Sequence, residues 1–305
     1  MRILVADPIH AEGVERLRQR GHIVDVAKGG LPADLSGVEG IVVRSATRVT
    51  RDLIAAAPAL KVIGRAGAGV DTIDLKAAAE RGIVVLNVPG GNSISAAEHT
   101  LGLLLALVRR IVPADASLRA GRWQRSHFEG TEIHGKTLGL FGYGRVGREV
   151  ATRALAFGMQ VIATDPVAAP DPRVERVPFE TLLERADVLS LHTALTPETR
   201  GIIDADAIAR MKRGALLLNV ARGGLVRLDA VLAALESGQL GGAGLDVFDP
   251  EPPQLGRLAQ LEQVVLTPHL GASTVEAQWR CAVEIAEDID RFARGEATVG
   301  KVDVA

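Results

Sequence analysis

Cysteine is almost absent from this chain of 305 residues, since Cys281 is the only one. One cysteine cannot form an intramolecular disulfide, nor can it supply the set of thiolates that holds a zinc or iron–sulfur cluster. We therefore expect no bound metal and a reducing, cytoplasmic compartment. Cys281 lies in a helical pattern, where a buried cysteine behaves as a small apolar side chain more often than as a nucleophile.

Long apolar runs are absent as well. The longest, near Leu101–Val108, is far shorter than the roughly 20 residues that span a bilayer, and Met1–Asp7 does not have the pattern of a signal peptide. Neither sign of charge dominates, because the net charge is −2 and no run of like charges occurs. We expect neither a membrane nor a nucleic acid as partner, and a small molecule as substrate.

Apolar strands alternate with amphipathic helices along the whole chain, which is typical of parallel sheets covered by helices on both faces. The length allows two domains of ordinary size. The last helical pattern, Thr274 to about Arg294, is expected to return to the first domain. We predict a discontinuous domain of residues 1–93 and 281–305, with residues 94–280 inserted as a second domain.

A glycine-rich turn opens the second domain. The strand Thr137–Phe141 runs into Gly142-Tyr143-Gly144-Arg145-Val146-Gly147, and a helix and a second strand then lead to Asp165, 18 residues after Gly147. In dinucleotide-binding proteins the first glycine permits a tight turn, the second lets the pyrophosphate approach the backbone, and the third lets helix and strand pack closely. The acid accepts hydrogen bonds from the ribose and repels a 2′-phosphate. This pattern predicts NAD as cofactor; the alternative is a glycine-rich turn without a ligand.

The predicted fold class is therefore α/β with two open parallel-sheet domains, in which a Rossmann-type NAD domain is inserted into a smaller, flavodoxin-like substrate domain.

Three polar side chains follow successive strands of the second domain. Arg222, Glu251 and His269 come after the strands that end near Asn219, Val247 and Thr267. Ligands of open parallel sheets bind beyond the carboxyl ends of the strands. A histidine can accept a hydroxyl proton near neutral pH, a carboxylate behind it can fix its tautomer, and an arginine can bind a substrate carboxylate. This set suits hydride transfer at a 2-hydroxy acid, although each residue alone could be an ordinary loop or surface residue.

The chain resembles the D-isomer-specific 2-hydroxyacid dehydrogenases over essentially its whole length. The resemblance is carried by the following stretches: Val43–Thr50, Gly64–Asp71, Asn92–Glu98, the glycine motif, Asn219–Gly224, Leu245–Phe248, Glu251–Pro253 and Pro268–Thr274. It implies Arg222, Glu251 and His269 as the catalytic residues. It also implies cofactor contacts at these positions: Gly142, Gly144, Arg145, Val146, Gly147, Asp165, Thr193, Val220, Ala221, Asp246, Gly271 and Ala272.

Within the family, the chain is most similar to members that oxidise 3-phospho-D-glycerate to 3-phosphohydroxypyruvate, the first step of serine biosynthesis. The resemblance implies that Arg44 and Arg65 bind the phosphate, that Asn92 holds the substrate carboxylate, and that Arg125 reaches the site from a partner subunit. Two alternatives remain: a hydroxypyruvate or glyoxylate reductase or other D-2-hydroxyacid dehydrogenase, and a non-enzymatic NAD(H)-sensing protein like the corepressors built on this fold.

The resemblance further implies a homodimer, with a tetramer as the alternative. The expected contact surface is the apolar helical pattern Ser93–Val112 with the loop around Trp123. Longer family members continue into regulatory domains that sense serine. Because this sequence ends at Ala305, we expect a short form without such a domain.

Overall fold

The computed structural model describes residues 1–303 and divides the chain into two compact units. Unit 1 comprises residues 1–93 together with those from Ala272 onward, and unit 2 comprises Ile94–Gly271. The predicted domains, residues 1–93 with 281–305 and residues 94–280, stay a prediction, and the helix that contains residue 281 lies wholly within unit 1.

Unit 1 is a five-stranded parallel sheet with helices on its faces. Its strands are β1 Arg2–Val5, β2 Ile23–Val26, β3 Gly40–Val43, β4 Val62–Arg65 and β5 Val84–Leu86, and its helices are α1 Ala11–Gln19, α2 Arg51–Ala56, α3 Leu75–Glu80 and α10 Val275–Ala293. The strand order is β2-β1-β3-β4-β5, which is the flavodoxin-like order. The predicted fold of this domain is confirmed.

Helix α10 packs closely on α1 and on β4. A Cβ atom on Gly13 of α1 would lie 2.5 Å from the backbone oxygen of Ala282, and one on Gly64 of β4 would lie within 3 Å of Ile285 and Ile289. Both glycines are therefore required for the close approach of α10. Thr274 caps the helix by accepting a hydrogen bond from the Ala277 N–H, so the element starts well before residue 281.

Unit 2 is a seven-stranded parallel sheet. Its strands are β6 Thr137–Phe141, β7 Gln160–Thr164, β8 Glu175–Arg176, β9 Val188–Leu191, β10 Ala215–Asn219, β11 Leu240–Leu245 and β12 Val264–Leu266. Its helices are α4 Ser93–Val108, whose first residue belongs to unit 1, α5 Ile111–Arg119, α6 Arg145–Ala156, α7 Phe179–Arg185, α8 Ala205–Arg210 and α9 Leu228–Ser237, with short 3₁₀ turns at Arg125–Phe128, Gly223–Leu225 and Gly256–Gln260.

The strand order of unit 2 is β12-β11-β10-β9-β6-β7-β8. Counted from β6, this is the Rossmann order with one strand added at the far edge. One apolar cluster joins the sheet to α4 and α6, and another joins it to α7, α8 and α9. Helices therefore cover both faces, and the order reverses between β6 and β9, where such sheets bind nucleotides.

The predicted single helix Ser93–Val112 is wrong. Helix α4 ends at Val108, and Arg110 adopts a left-handed conformation with φ of 49° before α5 begins. Pro113 explains the break, because its ring would clash with the carbonyl four residues earlier if the helix continued. In the first turn of a new helix the missing N–H of proline has no cost.

Among residues 1–303, no helix combines the length and the apolar character that crossing a membrane requires. Within the same range, no three histidine, cysteine, aspartate or glutamate side chains group as metal ligands would.

A partly buried histidine follows β9 and makes the stability of the fold depend on pH. His192 lies 2.8 Å from the buried Ser190 hydroxyl through Nε2, and burial lowers the pKa of His192 to about 4. An unfolded chain binds the proton near pH 6.5, whereas the folded chain binds it only near pH 4. The free energy of unfolding therefore falls as the pH drops through this window, by about 1–3 kcal/mol from this residue.

We predict that His192→Gln removes this pH-dependent part of the free energy of unfolding, since glutamine still pairs with Ser190 but does not titrate. Denaturant unfolding of both proteins at pH 7.5 and pH 4.5 measures it. The wild type is expected to lose more stability between the two values than the variant. Equal losses would show that His192 is not the group responsible.

Candidate active site

The loops that follow β10, β11 and β12 adjoin one another through main-chain hydrogen bonds. The Asp246 N–H donates to the Asn219 carbonyl at 2.9 Å, and the His269 N–H donates to the Asp246 carbonyl at 2.7 Å. Because the three strands are parallel neighbours, their carboxyl ends meet at one edge of the sheet. Arg222, Glu251 and His269 thus lie on adjoining loops.

His269 and Glu251 are in direct contact. The His269 Nδ1 atom lies 2.9 Å from Glu251 Oε2, and the other carboxylate oxygen, Oε1, accepts the Phe248 N–H at 3.0 Å. A carboxylate only accepts hydrogen bonds, so Nδ1 carries a proton and neutral His269 has its lone pair on Nε2. This tautomer leaves Nε2 able to accept a proton. His269 has a φ of 56°, a left-handed conformation that is costly for a residue other than glycine.

Arg222 lies on a tight turn held by Asn219. The buried Asn219 side chain accepts the Ala221 N–H and donates to the Arg222 carbonyl, while the Arg222 guanidinium donates to the Ala221 carbonyl at 2.7 Å. A Cβ atom on Gly223 would lie 2.0 Å from the backbone carbon of Phe248. The Arg222 turn therefore packs directly on the loop that carries Glu251, and glycine is required at this contact.

Asp246 is fully buried at the end of β11. Its carboxylate accepts hydrogen bonds from the Leu270 and Gly271 N–H groups and from the Thr267 hydroxyl. Desolvation opposes its ionisation, but the hydrogen bonds from His99, Thr267 and the two backbone groups outweigh it and lower the pKa of Asp246. A Cβ atom on Gly271 would lie 2.8 Å from Val220, so Gly271 fits closely between two predicted cofactor residues.

The glycine turn after β6 has the geometry that its motif predicts. Gly142 has a φ of 99°, and a Cβ atom there would lie 2.5 Å from the His192 carbonyl oxygen and 2.8 Å from the Thr193 nitrogen. A Cβ atom on Gly147 would lie 2.4 Å from the Gly142 oxygen. These two glycines are required by the fold of the turn itself.

Gly144 differs from these two glycines. Its φ is −77°, and a Cβ atom there would meet no protein atom within 4 Å. Packing within the chain does not require a glycine at this position. Gly144 is the N-cap of α6 and makes no side-chain cap, and Arg145 and Val146 follow as the first helical residues. This open, uncapped helix start fits a pyrophosphate, which main-chain N–H groups and the helix dipole would hold.

Asp165 lies at the end of β7, beside the glycine turn. Its carboxylate accepts three backbone N–H groups, from Tyr143 at 2.7 Å and from Val167 and Ala168 at 2.9 Å. Burial opposes ionisation, but these bonds prevail and lower the pKa of Asp165. The group is therefore an anion at neutral pH, and its remaining lone pairs can accept ribose hydroxyls.

The predicted phosphate ligands lie in unit 1 at the ends of neighbouring strands. Arg44 follows β3, and its N–H donates to the buried Asp7 carboxylate at 2.6 Å. Arg65 ends β4, and its guanidinium donates to the Ala66 carbonyl at 2.8 Å. A Cβ atom on Gly67 would lie 2.4 Å from this guanidinium, so Gly67 provides the space that the Arg65 side chain occupies.

Asn92 and Arg125 are in different surroundings. Asn92 is partly exposed and follows Gly91, whose carbonyl accepts a hydrogen bond from Arg280 Nε at 3.0 Å. Arg125 is exposed on a 3₁₀ turn of unit 2, and its role toward a partner subunit stays a prediction. The roles of the other site residues also stay predictions.

Reasoning from the sequence missed two members of the site. His99 and Thr267 both contact the Asp246 carboxylate. His99 lies on α4, far from Asp246 in the chain, so no local motif could indicate the contact. Thr267 directly follows β12, and its hydroxyl at a strand end was the one available signal.

The chain matches a known protein family and several of its members. Residues 101–271 match the family described as D-isomer specific 2-hydroxyacid dehydrogenase, NAD binding domain. The D-3-phosphoglycerate dehydrogenase of Homo sapiens is 48% identical over 283 residues, which cover 92% of this chain and 53% of that protein. The D-3-phosphoglycerate dehydrogenase of Methanocaldococcus jannaschii is 47% identical over 313 residues, which cover 100% of this chain and 60% of that protein.

The chain thus spans between about half and three-fifths of the length of these relatives. Among solved structures, the TT0316 protein from Thermus thermophilus has a TM-score of 0.92 and 40% identity, and the match covers 99% of this chain and 100% of that one. The chain therefore belongs to the D-isomer-specific 2-hydroxyacid dehydrogenase family, and residues 101–271 correspond to its NAD-binding domain.

Proposed function

We propose that this protein oxidises 3-phospho-D-glycerate to 3-phosphohydroxypyruvate with NAD, in the cytoplasm, as the first step of serine biosynthesis. The observation that carries the reaction type is the His269–Glu251 pair, with Nδ1 and Oε2 2.9 Å apart. The relatives named D-3-phosphoglycerate dehydrogenase support the substrate.

His269 is the base of the proposed reaction. Its Nε2 atom accepts the proton of the C2 hydroxyl, and the Glu251 carboxylate stabilises the imidazolium that forms. The bound cofactor would supply the acceptor for the hydride that leaves C2. The Phe248 N–H fixes the second oxygen of Glu251, so the carboxylate keeps its orientation while the histidine changes charge.

Arg222 binds the substrate carboxylate and polarises the neighbouring C2–O bond, because a guanidinium presents two parallel donors to a carboxylate. Asn92 provides a further donor to the same group. Arg44 and Arg65 bind the phosphate, which needs cationic partners.

The chain would hold NAD with groups that fit it. Main-chain N–H groups at Gly144, Arg145 and Val146 bind the pyrophosphate, and Asp165 accepts hydrogen bonds from the adenosine ribose. Thr193, Val220, Ala221, Asp246, Gly271 and Ala272 line the remainder of the cofactor site. The support is the open helix start at Gly144 and the anionic Asp165.

The protein is proposed to form a homodimer, with a tetramer as the alternative. Helix α5 and the loop after it expose large apolar side chains: Ile111 is 52% exposed, Leu118 58% and Trp123 80%. Gly102 of α4 is also exposed, and a Cβ atom there would meet no protein atom within 4 Å. A second copy packed on α4 and α5 would bury this apolar surface and bring its own Arg125 to the site.

We predict that His269→Ala lowers kcat by about two to four orders of magnitude, because the proton acceptor is lost. Glu251→Gln is expected to cause a smaller fall, since the imidazole remains while its tautomer and charge lose support. Affinity for NAD is expected to change little in either variant. Turnover with 3-phospho-D-glycerate, followed by NADH absorbance, and NADH titration measure both effects. Normal turnover of His269→Ala would exclude the assigned base.

Loss of an arginine that binds the phosphate is predicted to affect mainly the phosphorylated substrate. Arg44→Ala and Arg65→Ala are each expected to lower kcat/KM for 3-phospho-D-glycerate by about 10- to 100-fold, as for one lost charge-assisted hydrogen bond. Turnover of unphosphorylated D-glycerate is expected to change much less. Arg18→Ala, which removes an exposed arginine of α1, is the control.

A panel of glycerate, hydroxypyruvate and glyoxylate separates the proposal from its alternatives. If unphosphorylated acids are preferred and the arginine variants affect both classes equally, the protein is a reductase of that kind. NADH binding without turnover of any member would instead indicate an NAD(H)-sensing protein.

The proposed dimer surface predicts a change of oligomeric state. Leu118→Glu combined with Trp123→Glu is expected to give monomers, because two charges would be buried in an apolar contact. Light scattering after size-exclusion chromatography gives the mass. Phe157→Glu, at the exposed C-terminal end of α6, should leave the mass unchanged. A monomeric wild type would contradict the proposal.

A further inference from the structure

Four donors surround the buried carboxylate of Asp246. Oδ1 lies 2.6 Å from the Thr267 hydroxyl, 2.7 Å from the Leu270 nitrogen and 3.1 Å from His99 Nε2, while Oδ2 lies 2.8 Å from the Gly271 nitrogen. Three of these donors come from the loop after β12. His99 comes from α4, on a separate part of the chain.

The contacts of His99 determine where its proton lies. Its Nε2 atom is 3.1 Å from Asp246 Oδ1 and 2.9 Å from the Thr267 hydroxyl oxygen. The carboxylate can only accept, and the threonine proton points to it at the shorter distance. A lone pair on Nε2 would face two oxygens, so Nε2 carries the hydrogen and donates to both.

Asp246 in turn holds the loop that presents His269. Its backbone carbonyl accepts the His269 N–H at 2.7 Å, and its carboxylate accepts the two N–H groups that follow. Three consecutive main-chain donors are therefore fixed on one residue. These bonds offset the cost of the left-handed conformation of His269.

The position of His99 favours a specific role over a surface role. The buried residues of helix α4 are mostly apolar and include Leu101, Leu103 and Leu104. The His99 side chain is 21% exposed. A polar ring in such a place is costly unless it is hydrogen-bonded, and its bonds go to the carboxylate that organises the loop.

We propose that His99 is a positioning residue: its Nε2–H fixes the Asp246 carboxylate and thereby the loop that places His269 and the nicotinamide side of the cofactor site. The part that concerns His269 rests on the proposed function. The part that concerns the cofactor rests on the family's NAD-binding domain.

Two substitutions separate the hydrogen bond from the volume of the ring. His99→Leu keeps an apolar bulk but has no donor, whereas His99→Gln can present a side-chain N–H near the same place. Thr100→Val is the matched control, because Thr100 is the next residue of α4 and its buried hydroxyl bonds to Ala96 outside the network. The readouts are NADH affinity by fluorescence titration, kcat and KM with 3-phospho-D-glycerate, and the unfolding temperature.

We expect His99→Leu to weaken NADH binding and to lower kcat, each by roughly tenfold as for one charge-assisted hydrogen bond, with a smaller change in substrate KM. His99→Gln is expected to recover both to within about threefold. Thr100→Val is expected to shift only the unfolding temperature. NADH affinity and kcat of His99→Leu within about twofold of wild type, or no recovery in His99→Gln, would overturn the proposal.

The tautomer is a test on the unmodified protein. Nitrogen-15 NMR of the histidine side chains in the cofactor-free wild type, with His99→Gln to assign the signal, is expected to show a proton on Nε2 of His99. A ring protonated on Nδ1 alone would overturn the proposal even if His99→Leu does not fold. If the wild type binds NADH but does not turn over 3-phospho-D-glycerate, the proposed substrate fails, while NADH affinity and the tautomer still decide the role of His99.

Discussion

Hydrogen bonds from backbone N–H groups to aspartates at strand ends are the interaction on which the candidate site depends. Asp7 follows β1 and holds the Arg44 and Thr47 N–H groups after β3. Asp165 follows β7 and holds the Tyr143 N–H in the turn after β6. Asp246 follows β11 and holds the loop after β12. In each case the carboxylate of an aspartate after one strand binds backbone N–H groups that follow the neighbouring strand. The main chain from which the functional side chains project is therefore held in place.

This arrangement explains how loops can position chemistry accurately. A loop without such a partner would leave its backbone donors to water, and its functional side chains would sample many positions. Here the backbone N–H of Arg44, that of Tyr143 in the glycine turn and those of the two residues after His269 all donate to a buried or partly buried aspartate carboxylate. Ionised acceptors make stronger hydrogen bonds than neutral ones, and the lowered pKa values of Asp165 and Asp246 keep both groups charged at neutral pH.

The sequence predicted the strands and turns that depend on a local pattern of residues. The apolar pattern located β6 at Thr137–Phe141 to the residue, and the glycine spacing located the turn after it, where Gly142 and Gly147 have a local steric reason. The last helical pattern was expected to return to the first domain, and α10 packs on Gly13 of α1. Sequence reasoning failed at the end of α4. The end of α4 was locally readable, since Pro113 lies four residues after Arg109, but the apolar pattern concealed it.

His99 is the clearest case of a residue that sequence reasoning could not find. An ordinary buried histidine would fit the same apolar helical pattern, and Asp246, the partner of His99, lies 147 residues away. Only the three-dimensional structure shows that Nε2 faces a carboxylate rather than a leucine. Asp246 itself was identified through the resemblance to the family. A resemblance assigns roles to residues at matching motifs, but it does not show which other residues of this chain contact and support them.

The surroundings of Asp165 give a physical reason for the choice of NAD. A 2′-phosphate would need cations to offset its repulsion by the carboxylate. Two arginines of this region are engaged elsewhere: Arg148 donates to the Ala169 carbonyl at 2.6 Å and stacks on the Tyr143 ring, and Arg176 donates to the Ala168 carbonyl at 3.0 Å. Their hydrogen bonds hold the loop after β7, whose Val167 and Ala168 N–H groups donate to Asp165. Moving either arginine to a phosphate would loosen that loop, so the bonds that fix the ribose acceptor also disfavour NADP.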